Sequence, residues 1–399
     1  MVDWLARTEP GPPLIVRWNG GPQAAHHVVT DDERTHCFAQ LGSGSFVPGA
    51  RTHLGPGMVV DPYALVVEAQ ALSLSGVPEV LRGVSIDPRS ILVTPWHAIV
   101  NRIRETLRGG ARHGSTGRGV GEARLGGEAL LASALEGRLD EQVLGLRASL
   151  RRAAGALIDA HPDPPEEARR LLARADDRDL LVLFLEAARQ LQPAGVTITA
   201  SVPRAKTILL EGAQGALLDQ DHGFFPHVTP SRITRASAER AMDLMGIPGP
   251  PEVWGVLRGV HTRHGAGPLP SEDAELTALL PEPHNRDDGW AGPFRVGWFD
   301  GVLARWALRH AGPVDRLALT CLDRIEPLPR RAVVESWGAE DLLAQASPEE
   351  RTALALRAVP VPRELPPGVS LVTAVEELLQ QRIDLESWGP TAKGKRRRA

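Results

Sequence analysis

The sequence has few of the features that mark extracellular or membrane proteins. It contains two cysteines in 399 residues, Cys37 and Cys321, so a disulfide framework is excluded and a reducing, cytoplasmic setting is expected. No apolar run approaches the roughly 20 residues of a membrane helix. No basic stretch followed by an apolar core is visible at the start of the chain. We therefore expect no membrane partner.

Charge and aromatic content argue against nucleic acid as a partner. The formal net charge is −4, which gives no basic field to attract a polyanion. Aromatic residues make up 4% of the chain, and Tyr63 is the single tyrosine, so stacking platforms for unpaired bases are scarce. The basic residues within 391–399 are interpreted as a disordered tail, with a nucleic-acid role as the minor alternative.

The sequence also lacks a Gly-x4-Gly-Lys-Ser/Thr phosphate loop. In its place stands a strand-like run, residues 206–210, that leads into Glu211-Gly-Ala-Gln-Gly215. Glycine at the carboxyl end of a strand lets the backbone approach a ligand, and in open α/β sheets ligands bind at that edge. An ordinary turn after a core strand gives the same pattern, so these five residues alone leave both interpretations open.

Two further segments carry recognisable patterns. Gly114-Ser-Thr-Gly-Arg-Gly-Val-Gly121 places four glycines and two hydroxyls in eight residues. Such a loop suits amides and hydroxyls that face a phosphate, although a flexible linker has the same composition. Residues 126–192 repeat leucine at helical spacing and are interpreted as packing helices. His26 and His27 are not taken as a metal site, because no other ligand stands at a zinc spacing.

The string EGAQGALLDQDHGFFPHVT, residues 211–229, resembles the signature of adenylosuccinate synthetase. That family is the GTP-dependent ligase that joins aspartate to inosine monophosphate (IMP). Similar motifs recur at 18–30, 114–121 and 261–270. The resemblance implies one α/β domain over residues 1–390, with a large, mostly parallel sheet flanked by helices. This fold is related to P-loop NTPases and carries a helical subdomain at about 126–192.

The resemblance also implies ligands and residue roles. It implies a cytoplasmic homodimer that binds purine nucleotides, with GTP as co-substrate and Mg²⁺ as cofactor. His26 would contact the transferred phosphoryl group as a catalytic acid, and Gln214 would orient the purine. The residues expected to bind IMP are Gln23, Thr116, Arg124, Gln214, Val228 and Thr229, with Arg124 reaching the nucleotide of the partner. The residues expected to bind GTP are Asp323, Ser387 and Gly389.

The chain departs from the family pattern in its amino-acid loop and its guanine site. The family carries several arginines ahead of Gly-Trp-Phe-Asp, where they grip the aspartate carboxylates. Here Arg295 is the arginine close ahead of that motif, and Arg286 lies further back. The family's guanine-packing lysine is replaced by Cys321, whereas Asp323 is kept. The resemblance therefore leaves the identity of the amine open.

The family begins with a Gly-Asp-Glu-Gly-Lys-Gly-Lys loop, whose aspartate is the general base on IMP and a magnesium ligand. Residues 1–399 do not contain it, and Met1-Val-Asp-Trp-Leu5 corresponds to the residues that follow it. Either the protein is a degenerate nucleotide-binding homologue or its start codon was assigned too late. In both cases we expect little or no synthetase activity from the 399-residue chain.

Three functional hypotheses follow from these observations. The first is a ligase that joins an amine to IMP or a similar purine nucleotide through a 6-phosphoryl intermediate. The second is a non-catalytic purine-nucleotide binder that acts as a regulator or partner subunit. The third is a ligase of changed amine specificity in specialised metabolism.

Overall fold

The computed structural model describes residues 1–282 and 290–398, and the chain forms two compact units. The first unit consists of Met1–Gln214 with Ser237–Gly249, and the second of Gly215–Ala236 with Pro250–Ala399. Within the described ranges, no helix is both long enough and apolar enough to cross a membrane.

The first unit has nine strands in its described residues: β1 Leu14–Arg17, β2 His26–Val29, β3 Thr35–Phe38, β4 Arg51–Leu54, β5 Val59–Val60, β6 Val84–Ile86, β7 Ile91–Leu92, β8 Thr197–Ile198 and β9 Ile208–Glu211. Five of them form a parallel sheet in the order β8-β6-β4-β1-β9. A β2–β3 hairpin and a short β5–β7 pair accompany it. The helices are α1 Val2–Thr8, α2 Pro62–Leu74, α3 Pro95–Arg108, α4 Val120–Leu125, α5 Leu139–Asp159, α6 Glu166–Arg174, α7 Arg178–Gln190 and α8 Arg235–Met245.

Strand β1 is the centre of this unit, and its side chains divide between two faces because strand side chains alternate. Leu14 and Val16 pack into a cluster with Met242 of α8, and all three are buried. Ile15 and Arg17 lie on the opposite face and are fully buried. Burying an aliphatic side chain contributes roughly 1.5–3 kcal/mol, so the apolar residues offset the cost of holding one charged group inside.

A glycine-rich segment, residues 41–45, covers the Ile15 face of β1. A Cβ atom on Gly42 would lie 2.5 Å from the Cβ of Ile15, and one on Gly44 would lie 2.8 Å from the Cβ of Ala6. These glycines therefore serve close packing and do not hold a ligand. The segment is anchored by Glu68 of α2, whose carboxylate accepts hydrogen bonds from the backbone N–H groups of residues 39–41.

Residues 126–192 form the helical block that the leucine spacing predicts. Helices α5, α6 and α7 occupy most of it. The buried indole of Trp96 in α3 donates a hydrogen bond to the Ala175 carbonyl at 3.0 Å and meets Phe184 of α7 edge to face. The block is thus joined to the sheet-flanking helix α3. Its boundaries as a subdomain stay a prediction.

The strands described in the second unit are β10 Trp254–Arg258, β11 Val260–His264, β12 Phe294–Asp300, β13 Arg316–Thr320, β14 Ala332–Val334, β15 Arg363–Glu364, β16 Leu385–Ser387 and β17 Lys395–Arg397. They form two four-stranded sheets, ordered β10-β13-β16-β17 and β11-β12-β14-β15. The helices are α9 Ala274–Leu279, α10 Gly301–Ala311, α11 Leu322–Ile325, α12 Pro348–Arg357 and α13 Leu371–Leu379.

The core of the second unit joins its two sheets to its helices. Trp298 and Phe299 of β12 pack with Leu319 of β13 and Leu371 of α13 in one buried cluster. Asp300, fully buried, caps α10 by accepting hydrogen bonds from the backbone N–H groups of residues 302 and 303, and it also accepts from an indole N–H. Burial raises the pKa of Asp300 to about 6, against these hydrogen bonds.

The α/β class and the mostly parallel sheet are confirmed, although the described strands divide among separate sheets. The disordered tail is wrong for the part of residues 391–399 that the structure describes. Lys395–Arg397 forms β17 and pairs antiparallel with β16. Backbone pairing to an existing strand outweighs the repulsion that the basic composition suggested. A single domain over residues 1–390 stays a prediction.

Glu68 gives a testable pH dependence. Burial raises its pKa to about 7, against the three backbone hydrogen bonds and the charge of Arg17. The folded protein therefore holds this proton more tightly than the unfolded chain does. The stability that protonation contributes is present at low pH and is lost as the pH rises toward 7.

We expect the free energy of unfolding to rise on going from pH 7 to pH 5 by about 2 kcal/mol more in the wild type than in Glu68→Gln. Urea unfolding at pH 5, 6 and 7 measures both curves. Parallel curves for the two proteins would show that Glu68 is ionised throughout this range.

Candidate functional site

The carboxyl ends of β1 and β9 meet around the turn formed by Gly20 and Gly21. Asn19 ties the two ends together, because its side chain accepts a hydrogen bond from the Ala213 N–H at 2.8 Å. Gly20 has φ +91°, and a Cβ there would lie 2.5 Å from the Cβ of Ala213. Only glycine fits this close approach, so the turn is a fixed wall of the site.

Two buried amides lie at this turn with unused hydrogen-bonding atoms. Gln214 adopts φ +65°, and neither its Oε1 nor its Nε2 has a partner among the described residues. A Cβ on Gly20 would lie 3.6 Å from that Nε2. Gln23 Oε1 is likewise buried without a partner and lies 2.7 Å from where a Cβ on Gly21 would be. A buried amide left unpaired costs about 1–3 kcal/mol, so both groups point to a ligand.

His26 is the first residue of β2, and its ring contacts a buried carboxylate. The Nδ1 atom lies 2.5 Å from Oε1 of Glu211, whereas 27% of the His26 side chain is exposed. Glu211 also accepts hydrogen bonds from the backbone N–H of Ser43, at 2.9 Å, and from its hydroxyl. The structure thus brings His26 and the GAQG segment to the same strand ends.

The Glu211 carboxylate is ionised despite its burial. Burial alone would raise its pKa, but the charge of Arg17 and the hydrogen bonds from His26 and Ser43 outweigh that effect and lower the pKa to about 2. Arg17 is the direct neighbour of Glu211 in the β1–β9 ladder. A charged pair therefore lies under the histidine.

The 114–121 loop is folded differently from the expectation that its amides face a phosphate. The buried carboxylate of Glu105 accepts hydrogen bonds from the backbone N–H groups of residues 113–115 at 3.1–3.4 Å. The Ser115 hydroxyl donates to Asn101 at 2.7 Å. Thr116 is exposed on this preformed loop. A Cβ on Gly21 would lie 3.2 Å from Val120, so the end of the loop adjoins the glycine turn.

Arg124 points inward in this structure. Its Nη2 donates a hydrogen bond to the Gly57 carbonyl, and its Nε is buried without a partner in the described part of the chain. Burial lowers the pKa of its guanidinium. To reach a nucleotide held by a second subunit, this side chain would have to leave the Gly57 carbonyl.

In the second unit, Asp219 organises the segment that carries Val228 and Thr229. Its buried carboxylate accepts hydrogen bonds from the backbone N–H groups of residues 221, 222 and 233. The Thr229 N–H donates to the Leu218 carbonyl at 2.9 Å. A Cβ on Gly223 would lie 2.7 Å from Val228. The Asp-Gln-Asp-His-Gly part of the motif therefore folds back on itself and fixes the position of Thr229.

Arg295 is engaged within its own unit. Its Nη2 donates to the carbonyls of Gly265 and Gly267, each at 2.7 Å, and its Nη1 contacts Glu272 at 2.5 Å. This guanidinium bridges the segments that follow β11 and precede α9. Because both of its terminal nitrogens already donate hydrogen bonds, it does not present two parallel N–H groups to a carboxylate ligand. The front of the expected amino-acid loop, including Arg286, lies outside the described residues.

The residues expected at guanine follow two neighbouring parallel strands, β13 and β16. Asp323 is exposed in the first turn of α11, after Cys321 at φ +64°. Ser387 ends β16, and its hydroxyl donates to the Gly389 carbonyl at 3.3 Å. Lys395 of β17 also donates to that carbonyl, at 2.7 Å. The structure thus brings these residues to the same edge of one sheet.

The described residues include no group of three or more His, Cys, Asp or Glu side chains arranged to hold a metal ion. The side chains of the described ranges therefore do not fit a Mg²⁺ site that the protein builds alone.

Sequence reasoning missed the residues beneath His26. Glu211 lies within the motif at 211–229, where the resemblance assigns it no role, and Arg17 and Ser43 lie outside the motifs that carry the resemblance. A buried arginine in an otherwise apolar strand, Leu14–Arg17, is the signal that could have pointed to them.

Comparisons with known proteins bear on this arrangement. A family profile described as adenylosuccinate synthetase matches residues 1–385. The chain is 32% identical to adenylosuccinate synthetase of Mycolicibacterium vanbaalenii over 372 residues, which covers 88% of this chain and 80% of the relative. It is 33% identical to the Myxococcus xanthus enzyme over 321 residues, covering 79% of this chain and 72% of the relative.

Solved structures show the same fold. The fully ligated adenylosuccinate synthetase from Plasmodium falciparum matches with a TM-score of 0.73 and 22% identity, over 100% of this chain and 96% of that one. The succinoaminodeoxyadenylate synthetase of cyanophage S-2L matches with a TM-score of 0.58 and 19% identity, over 99% and 90%. With the profile and the relatives above, these findings show that the chain belongs to the adenylosuccinate synthetase family.

Proposed function

We propose that this protein is a ligase of purine nucleotide metabolism. It uses GTP to activate the 6-oxygen of IMP, or of a similar purine nucleotide, and then joins an amine at that carbon. Members of the family use GTP and Mg²⁺ and bind purine nucleotides. We further propose that the protein acts in the cytoplasm as a homodimer.

One observation carries the proposal. Gln214 and Gln23 hold buried, unpartnered amide atoms at the glycine turn, and His26 lies on Glu211 at the end of the adjoining strand. A purine such as hypoxanthine offers an N–H and a carbonyl oxygen side by side, which an amide can bind as a pair. The carboxyl end of a parallel sheet is where α/β proteins bind such ligands.

The proposed reaction has two steps. In the first, O6 of the nucleotide bonds to the γ-phosphorus of GTP, the bond to the β-phosphate oxygen breaks and GDP leaves, while N1 of the purine loses its proton to solvent. In the second, the amine nitrogen bonds to C6 and loses a proton while the C6–O bond to the phosphate breaks. Gln214 orients the purine, and Nε2 of His26 donates to the phosphoryl oxygens, where charge accumulates.

The remaining residues are assigned to binding. Gln23, Thr116 and Thr229 are assigned to the 5′-phosphate, and Val228 is assigned to IMP. Asp323 accepts from guanine, and Ser387 with Gly389 closes over it. Arg124 is kept as a contact to the partner's nucleotide. When bound with GTP, Mg²⁺ would neutralise phosphate charge, and no step here is routed through it. No residue is assigned as the base for N1, because residues 1–399 lack the family's loop.

Arg295 favours a second candidate within the same reaction class. Its guanidinium is held by Glu272 and two carbonyl groups, so it does not offer the bidentate grip that an amino-acid carboxylate prefers. The co-substrate could then be an amine other than aspartate. Comparing aspartate with amines that carry no second carboxylate, at equal concentration, distinguishes the two.

Nucleotide binding is tested by calorimetric titration of the 399-residue protein with IMP. We expect Gln214→Ala to raise the Kd for IMP roughly tenfold, which corresponds to one lost hydrogen-bonded contact. Gln220→Ala is the matched control, since Gln220 is exposed in the same segment, and its Kd should stay within about twofold. Equal losses in both variants, or no IMP binding by the wild type, would refute the assigned pocket.

Catalysis is tested with γ-labelled GTP, which detects slow phosphate release. We expect low turnover, and we expect His26→Ala to reduce it by about 10²–10³-fold while the Kd for IMP changes less than about threefold. His27→Ala, at the exposed neighbouring histidine, should retain wild-type turnover. Tight IMP binding without any amine-dependent phosphate release would favour the nucleotide-binder hypothesis instead.

A further inference from the structure

Glu211 is a buried carboxylate for which the reaction above has no use. It ends β9 and is 3% exposed, and its oxygens are occupied by His26 Nδ1, the Ser43 N–H and the Ser43 hydroxyl. Burying an ionised carboxylate costs several kcal/mol unless donors and a counter-charge compensate it. Its position under His26 therefore calls for an explanation.

Arg17 supplies the positive charge that balances the Glu211 carboxylate, and it does not transfer a proton to that carboxylate. It is fully buried and faces Glu211 across the β1–β9 ladder. One of its nitrogens donates to the Leu41 carbonyl at 3.1 Å, and its Nε and Nη2 have no partner in the described ranges. Because an arginine cannot give up its proton, the carboxylate beside it stays anionic and acts only as an acceptor.

An anionic acceptor beside one ring nitrogen of a histidine determines which of the two ring nitrogens carries the hydrogen. At 2.5 Å from the carboxylate, Nδ1 of His26 must hold a hydrogen. Nε2 is then the ring nitrogen that does not contact the carboxylate, and 27% of the His26 side chain is exposed. When Nε2 is protonated, the ring charge is balanced by Glu211 below it.

We propose that Glu211 is a positioning residue that holds His26 in the Nδ1–H tautomer and leaves Nε2 as the nitrogen that faces the substrate. The tautomer part stands on the geometry alone. The consequence for phosphoryl transfer rests on the proposed function, in which the donor to the transferred group is the imidazolium form, with hydrogens on both Nδ1 and Nε2.

A purely structural role for Glu211 is the alternative. Its two hydrogen bonds to Ser43 also anchor the glycine-rich segment that packs on Ile15. In that case Glu211 would have no influence on the His26 tautomer. Removing the charge of Glu211 would then change the free energy of unfolding but leave the tautomer of His26 unchanged.

Long-range ¹H–¹⁵N spectra of protein labelled in its histidine rings separate these possibilities without any turnover. We expect one downfield Nδ1–H signal that disappears in His26→Ala and persists in His27→Ala. In Glu211→Gln this signal should shift upfield and the Nε2–H tautomer should appear. Ser43→Ala removes the side-chain anchor but keeps the carboxylate, so the wild-type tautomer should remain. An unchanged His26 signal in Glu211→Gln would overturn the proposal.

A second variant guards against loss of folding. Glu211→Gln leaves the buried charge of Arg17 uncompensated, which is strongly destabilising. The double variant Arg17→Met/Glu211→Gln removes both charges together and should fold, with the same change of tautomer. A wild-type tautomer in the folded double variant would also overturn the proposal.

Kinetics test the part that rests on the proposed function. We expect the folded Glu211 variant to lower kcat about 10²-fold with the KM for IMP changed less than about threefold, as expected for a residue that acts through His26. A rise in KM with unchanged kcat would contradict this role. If the wild type binds IMP but shows no turnover, the nucleotide-binder hypothesis is favoured over the ligase, while the spectra still decide the role of Glu211.

Discussion

The site depends on two opposite buried charges, Arg17 and Glu211, which are neighbours in register where β1 and β9 end side by side. Placing opposite charges at matched positions of a central sheet is costly unless both are held in place. Ile15 and the glycine-rich segment above it exclude water from that face, and Ser43 donates two hydrogen bonds to the carboxylate. The histidine of the site is aligned by this arrangement.

The rest of the first unit gives that pair a rigid setting. Asn19 joins the strand ends just beyond it, so Gln214 and Gln23 are held at a turn whose glycines leave no room for side chains. Glu105 holds the 114–121 loop in a similar way, by accepting the N–H groups of its backbone. In both places a buried side-chain oxygen accepts backbone N–H groups and fixes the loop, and polar side chains are left for a ligand.

The sequence was sufficient for the fold class and for the motif around Gln214, because the order of glycines, amide and carboxylates in residues 211–229 is specific. It was insufficient for Glu211, because its partner Arg17 is distant in sequence and meets it only through strand register. It also could not show that Arg295 is held by Glu272 and two carbonyls, or that the basic tail pairs as β17, since both depend on tertiary contacts.

The most direct test is a crystal structure of the 399-residue protein with IMP bound. We expect the hypoxanthine ring within hydrogen-bonding distance of the Gln214 amide, and His26 Nδ1 still on the Glu211 carboxylate with Nε2 toward the nucleotide. A purine bound away from Gln214 would contradict the assigned pocket. A His26 ring that no longer contacts Glu211 would contradict the positioning role of that carboxylate.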